Sequence, residues 1–134
     1  MKVGISIVLA GALMLATMPV LAHHSFTSFW YMDKTVEIEG VVMAVKLVNP
    51  HPEMKIEVTE ANGQKSIWNI TGRATGSGIL KAGWTVDTVP AGTKVKVEGN
   101  PSRKEGAKAL AAGKITKPDG SIVWFGGGGG IPQG

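Results

Sequence analysis

The sequence predicts an all-β protein: a small five- to six-stranded Greek-key barrel of the OB type with one short helix, after a cleaved signal peptide. Three observations support this prediction. Short segments of alternating polarity recur between turn residues, a segment ending in glycine with helical spacing follows the third of them, and the chain opens with an apolar run that stops at Ala22. A small open β-sandwich or another Greek-key barrel is the alternative fold.

The 134 residues therefore divide into four regions. We assign residues 1–22 to a signal peptide, 23–34 to an aromatic N-terminal segment, 35–125 to the OB-like barrel and 126–134 to a glycine-rich disordered tail. Removing the signal leaves about 110 residues, enough for one modest hydrophobic core.

The signal peptide is predicted from its three parts. Lys2 provides a positive start, residues 3–18 are almost wholly apolar, and Val20 and Ala22 occupy the −3 and −1 positions of a cleavage site. A retained transmembrane anchor is the alternative, but the apolar run is short for a membrane span. We expect a periplasmic or secreted protein with no stable membrane insertion after cleavage. The absence of cysteine excludes disulfides, thiolate metal sites and a lipoprotein anchor.

Half of the eight aromatic residues lie just after the cleavage site, at positions 26, 29, 30 and 31. Their spacing predicts a helical turn, or an extended segment folded onto the domain. We expect this segment to cover one end of the barrel and so to hold His23 in place.

The first strand is predicted over residues 35–48. Gly40 permits a bulge or bend, and both faces are apolar after it, which predicts burial on both sides with Met43 in the core. Prolines 50 and 52 end this strand because neither can donate to a ladder. Further strands are predicted at 54–59, 65–70, 93–98, 110–116 and 122–125, with a hairpin turn at 61–63, a short helix over 75–82 and a polar loop from residue 100.

Several motifs of this chain occur together in one family. They are His23-His24-Ser25-Phe26, Gly40-Val41-Val42, Asn49-Pro50-His51, Gly83-Trp84, Val95-Lys96-Val97-Glu98-Gly99 and Pro118-Asp119-Gly120. In this set the chain resembles a widespread family of small exported bacterial proteins, a domain of unknown function. It departs from that pattern at Pro52-Glu53, where the family has an apolar or aromatic residue. The resemblance implies export and the fold type, and it implies no reaction.

The three histidines predict a metal site. Cleavage after Ala22 would give His23 a free amine, which together with its own ring would chelate one metal ion, and His51 is the best candidate for a second imidazole. Such a set of three nitrogens suits Cu(II) and resembles the histidine brace of periplasmic copper carriers and copper oxygenases. His24 competes with His51, because adjacent residues can chelate through the intervening backbone. The alternative is that terminal histidines bind copper adventitiously and that the ring of His51 only hydrogen-bonds a nearby carbonyl.

Other metal chemistry has weaker support. Zinc is a weaker candidate, because the chain has only three histidines and no carboxylate obviously close to them. Glu53 is the nearest acidic candidate. Met32, Met43 and Met54 offer sulfur to Cu(I), although packing better explains the last two. We expect no cofactor other than copper.

A metal-independent binding module is the second functional class. Trp68, Arg73 and Trp84 would then form a surface for a small ligand, an oligosaccharide or a protein partner, provided that both indoles face solvent. A core position for both tryptophans is the simpler interpretation. The expected partners are a metal ion or small ligand, with another periplasmic protein as a further candidate.

Two classes are not expected from the sequence. The net charge of +4 is spread along the chain and forms no dense basic stripe, so we expect no nucleic-acid partner. The chain has no GxSxG, HExxH or phosphate-loop motif and no cysteine nucleophile, so we expect binding and not catalysis.

Overall fold

A computed structural model of the protein describes residues 26–126. The predicted signal peptide, His23, His24 and all of the glycine-rich tail beyond residue 126 lie outside the described residues. The elements are β1 (Val36–Lys46), β2 (Glu53–Thr59), β3 (Lys65–Gly72), α1 (Gly76–Lys81), β4 (Lys94–Pro101), β5 (Ala109–Thr116) and β6 (Ile122–Trp124). Over this part of the chain, no helix has the length and apolarity to cross a membrane.

The strands form one sheet in the order β3-β2-β1-β4-β5-β6, and an additional pairing between β3 and β5 closes the first five into a barrel. The closing pair is parallel, whereas all other pairs are antiparallel. Strand β6 extends the half of β5 that β3 leaves unpaired, and α1 follows β3. This topology confirms the predicted OB-like barrel, with one strand added to its edge.

Strand β1 serves both sides of the barrel, because its first half pairs with β4 and its second half with β2. At the crossing point a Cβ on Gly40 would lie 2.4 Å from the carbonyl oxygen of Glu57, so the two backbones approach too closely for a side chain. The bulge itself falls later, between Val42 and Ala44.

The prediction that β1 is buried on both faces after Gly40 is wrong. Met43, which we expected in the core, is the extra residue of the bulge and is 50% exposed. Its neighbour Ala44 is exposed as well, and Val42 is buried. A bulged residue has no partner across the ladder, so its side chain leaves the inward alternation.

The core is built from the inward positions of the strands and includes an aromatic pair. Trp84 is 2% exposed, and its ring centroid lies 5.1 Å from that of Phe125. The indole Nε1 donates to the carbonyl of Trp124 at 3.0 Å. Helix α1 is shaped by its caps: Thr75 accepts a hydrogen bond from Gly78 N at its start, and Gly83 has a φ of +92° after its end.

Strand β4 is longer than predicted. We expected a polar loop to begin at Asn100, but the strand continues to Pro101 and Asn100 is only 3% exposed. The side-chain Nδ2 of Asn100 donates to the carbonyl of Lys34 at 2.6 Å. The N-terminal segment therefore supplies an acceptor for Nδ2 of this buried residue, whereas its Oδ1 is buried without a hydrogen-bond partner.

Candidate metal centre around His51

The Asn49-Pro50-His51 motif lies in the connection between β1 and β2, where it contacts both α1 and the connection between β3 and α1. Asn49 Oδ1 accepts a hydrogen bond from the backbone N–H of Ser77 at 3.2 Å. His51 Nδ1 hydrogen-bonds the carbonyl of Ala74 at 3.0 Å. Two side chains of one motif therefore hold two loops together and fix the half-buried His51 ring.

The hydrogen bond to Ala74 fixes the tautomer of the neutral His51 ring. A carbonyl oxygen only accepts, so Nδ1 must carry the proton and donate. In the neutral ring, the lone pair then lies on Nε2. Metal-binding histidines typically show this arrangement, in which one ring nitrogen donates to a backbone carbonyl and the other binds the ion. The alternative, in which His51 has a structural role only, also requires a hydrogen bond to a carbonyl. The contact with Ala74 is therefore consistent with a metal ligand and with a structural histidine.

Phe26, the first described residue, packs against this histidine. The two ring centroids are 5.7 Å apart with an angle of 56° between the planes, and Trp30 lies 6.1 Å from Phe26 on the other side. Residues 26–29 form a helical turn. The described chain therefore begins at the His51 ring.

The aromatic N-terminal segment, which we expect to cover one end of the barrel, does not enter the barrel core. Phe29 is 63% exposed, and neither Phe26 nor Trp30 belongs to the buried cluster or to the side chains packed on it. The segment instead lies along the connection between β4 and β5. Trp30 forms a β-bridge with Ser102, and Tyr31 N donates to Pro101 O at 3.0 Å.

Of the three predicted metal ligands, the structure describes His51 alone, since His23 and His24 precede residue 26. Residues 26–126 contain no cluster of three or more His, Cys, Asp or Glu side chains suited to a metal ion. Glu53 is exposed at the start of β2. A complete metal site at His51 would therefore need ligands from residues before Phe26.

The methionines divide between surface and core. Met54 is 1% exposed and packs in the core as expected, whereas Met32 and Met43 are exposed. No described contact places any of these sulfur atoms beside His51. Packing accounts for Met54, and the bulge accounts for Met43.

The structure does not bring Trp68, Arg73 and Trp84 together as a surface. Trp84 is buried in the core, Trp68 is half-buried against it, and Arg73 is exposed after the end of β3. The backbone of Arg73 is covered by Gly126, where an added Cβ would lie 2.3 Å from Arg73 N. The two solvent-facing indoles that this alternative needed are absent from this region of the described chain.

Trp68 belongs instead to a small charged cluster. Lys108 Nζ lies 5.8 Å from the Trp68 ring centroid and forms an ion pair of 2.5 Å with Glu60, which also accepts from the hydroxyl of Ser66. The bond with Lys108 and then that with Ser66 lower the pKa of the Glu60 carboxyl. The indole Nε1 contributes to this lowering but meets no partner in hydrogen-bond geometry. We interpret the cluster as a stabilising surface network.

Cavities elsewhere lie on the outer face of the sheet. One of about 300 Å³ is lined by Lys94, Lys96 and Lys117 with Glu39 as its carboxylate. Lys94 pairs with Glu39 at 2.7 Å and lowers the pKa of that carboxyl. His51 does not line this cavity.

Sequence reasoning missed three residues that contact His51 or hold the helical turn beside it. Phe26 contacts the imidazole, Ala74 orients it, and Arg103 holds the helical turn through bonds to the carbonyls of Thr27 and Trp30. The sequence predicts that Phe26 covers the barrel end, and it predicts only a polar loop around Arg103. Ala74 acts through its backbone, which leaves no signal in residue type.

The fold and the surroundings of His51 define a small OB-like barrel whose N-terminal segment packs beside the oriented His51 imidazole. The chain belongs to the family of unknown function DUF6152, whose family model matches residues 12–111. No curated protein matches the sequence. Among solved structures, the barrel is similar to a mitochondrial single-stranded DNA-binding protein of S. cerevisiae, with 19% identity, a TM-score of 0.46, and coverage of 63% of this chain and 94% of that one.

This likeness corrects the expectation that nucleic acid is not a partner. The similar structure is that of a single-stranded DNA-binding protein. At 19% identity the likeness describes the fold alone and assigns no ligand to this chain.

Proposed function

We propose that the protein is exported to the periplasm or beyond, is cleaved after Ala22, and captures or delivers Cu(II). The amine and imidazole of His23 would chelate the ion, and Nε2 of His51 would complete a set of three nitrogens. His24 is the competing third ligand. The role is binding, with the metal ion as cargo.

The contact between Phe26 and His51 is the observation that carries this proposal. Residue 26 touches the imidazole, and residue 23 is only three positions upstream. An extended chain spans at most about 3.5 Å per residue, so three residues bridge at most roughly 10 Å. So short a connection supports the proposal that His23 reaches His51.

The chemistry of the donors favours Cu(II). The pKa of a chain-terminal α-amine is ordinarily about 8, so its free base is available near neutral pH. Imidazole and amine nitrogens in a tetragonal set suit Cu(II), which binds most tightly in the divalent series. Because Ala74 holds the proton on Nδ1, His51 presents its lone pair on Nε2 without a change of tautomer.

Titration of Cu(II) into the exported protein, after its mass has confirmed cleavage behind Ala22, tests the proposal. Adding one glycine before His23 removes the terminal chelate, and His51→Ala removes the second imidazole. Each change should weaken binding by more than the roughly 10–100-fold that loss of a supporting contact costs. His24→Ala should change the affinity much less.

Asn49→Ala is the matched control. It removes the bond to Ser77 from the same loop and leaves the His51 ring in place, so it separates loosening of the loop from loss of a ligand. Electron paramagnetic resonance of the Cu(II) complex should show three nitrogen ligands in the wild type and two in His51→Ala. Equal affinity for the wild type, the extended chain and His51→Ala would exclude the site.

A further inference from the structure

The cavity of about 300 Å³ on the outer face of the sheet has a lining rich in lysine. Lys94, Lys96 and Lys117 contribute three ammonium groups, and Glu39 contributes the one carboxylate of the lining, which leaves a net charge of +2. Small-ligand sites in proteins have volumes of about 300–1,000 Å³, so this cavity lies at the lower end of that range. Its size and its charge both suit a small anion.

Two segments that are distant in the sequence bring the lysines together. In β4, Lys94 and Lys96 alternate with Val95, which is 2% exposed, so both ammonium groups lie on the outer face. Lys96 is opposite Thr116 in the ladder between β4 and β5, and Lys117 begins the turn between β5 and β6. The pairing of β4 with β5 therefore creates the cluster of cations.

The carboxylate of the lining neutralises only part of this charge. Glu39 Oε1 lies 2.7 Å from Lys94 Nζ, whereas Glu39 Oε2 lies 4.0 Å from Lys96 Nζ, at the limit of an ion pair. Within residues 26–126, Lys117 forms no ion pair with a carboxylate. Lys96 and Lys117 are therefore available to an anion that enters the cavity.

The turn between β5 and β6 also keeps its own acid out of the cavity. Asp119 Oδ1 accepts hydrogen bonds from the hydroxyl and the backbone N–H of Ser121, at 2.6 and 2.9 Å. These two bonds lower the pKa of the Asp119 carboxyl, and the nearby charge of Lys117 adds a smaller lowering. Asp119 does not line the cavity, so it leaves the charge of the lining unchanged.

We propose that this cavity binds a small phosphomonoester through its doubly negative tetrahedral phosphate group. Lysine ammonium groups bind phosphate as point charges, and three of them on separate stems can reach different oxygens. A phosphomonoester carries a charge of about −1.5 to −2 at pH 7, which matches the charge of the lining. Val95 and Pro118 give the cavity an apolar side for the organic group of the ester.

Titration of phenyl phosphate into the metal-free exported protein, followed by backbone amide chemical shifts, tests this site. We expect saturable shifts around residues 94–96 and 116–120, with a dissociation constant on the order of 1 mM, because exposed ion pairs each contribute little. Shifts that do not saturate, or shifts of equal size with chloride at the same ionic strength, would overturn the proposal.

Inorganic phosphate and sulfate separate the anion from the ester. Both should shift the same amides, and phenyl phosphate should bind at least about threefold more tightly, because its ring buries apolar surface. Equal affinity for phenyl phosphate and inorganic phosphate would show that the cavity holds the oxyanion alone and would overturn the assignment to an ester.

Two lysine variants test the residues. Lys96→Gln and Lys117→Gln should each weaken the binding of phenyl phosphate about two- to fivefold, which is the size of one exposed ion pair. Lys104→Gln is the matched control, because it removes the same charge from an exposed residue that does not line the cavity. Wild-type affinity in both cavity variants would contradict the proposal.

Glu39→Gln gives the opposite sign, which a loss of structure cannot produce. It removes a like charge that faces the ligand and releases Lys94, so phenyl phosphate should bind about two- to fivefold more tightly. Glu60→Gln is the control, because that carboxylate pairs with Lys108 and does not line the cavity. Unchanged or weaker binding in Glu39→Gln would refute the proposed site.

A single-stranded oligodeoxynucleotide is the last ligand to compare. If it binds with the same dependence on Lys96 and Lys117 while phenyl phosphate does not bind, the lysines recognise a polymer and the small-ligand proposal is wrong. All of these titrations use metal-free protein, so their outcome does not depend on whether the protein binds Cu(II).

Discussion

Replacing Trp84 by phenylalanine tests the assignment of this tryptophan to the core. Its indole is 2% exposed, stacks near Phe125 and donates to the carbonyl of Trp124. Phenylalanine keeps most of the apolar ring contact and removes the donor. The substitution therefore distinguishes a tryptophan that stabilises the core from one that binds a ligand at the surface.

The expected loss of stability follows from two contributions. Removing the donor from a partly buried carbonyl costs about 1–3 kcal/mol. The smaller ring leaves unfilled volume and loses roughly 1 kcal/mol of apolar burial. The free energy of unfolding should thus fall by about 3 kcal/mol, a large part of the roughly 5–15 kcal/mol that holds a small domain together.

Urea unfolding followed by far-UV circular dichroism measures this loss without relying on tryptophan emission. With an m-value of about 1.5 kcal/mol/M, the midpoint should fall by about 2 M. Trp124→Phe is the control, because it keeps the backbone carbonyl that accepts the bond and alters a side chain that is 39% exposed. We expect it to cost less than about 1 kcal/mol. A Trp84→Phe protein within about 0.5 kcal/mol of the wild type would refute the core assignment.

Two further predictions concern β1. Gly40→Ala should destabilise the barrel by about 1–3 kcal/mol in urea unfolding, because its Cβ would meet a backbone carbonyl at 2.4 Å, whereas Gly113→Ala, with nothing within 4 Å, should not. Lys94 lowers the pKa of Glu39 below 4.5, so the stabilisation from this pair is complete above the unfolded value and is lost as pH falls through the folded one. The decrease in midpoint between about pH 6 and about pH 3 should therefore be smaller in Glu39→Gln than in the wild type. Equal unfolding of the two glycine variants, or an unchanged pH decrease in Glu39→Gln, would contradict the respective argument.

The order of the elements was readable from the sequence because it depends on local signals. Alternation within each strand, the 61–63 hairpin and the glycine after the short helix are all found in the structure. The position of the bulge was not readable. The pattern pointed to Gly40, but the interruption falls at Met43, because the offset between β1 and β2 depends on how two strands align across the barrel.

The candidate site was also predictable from the sequence only in part. His51 was identifiable because imidazole is a rare side chain in this sequence and because the residue lies between two prolines after the first predicted strand. Its orientation was not, since a backbone carbonyl from residue 74 sets it. The contacts of Arg103 with residues 27 and 30 join positions more than seventy apart in the chain. No periodicity in either segment encodes such a pairing.

What the amino-acid sequence determined by itself is the choice of elements, the all-β class and the residue types available for chemistry, since these follow from short-range preference and composition. The tertiary structure alone decided that Asn100 is buried, that Met43 faces solvent, and that Phe26 lies on His51. The reason is that closing the barrel brings together segments that are distant in the sequence. Whether a polar side chain finds a hydrogen-bond partner, or an aromatic side chain a packing partner, depends on residues outside its own sequence neighbourhood.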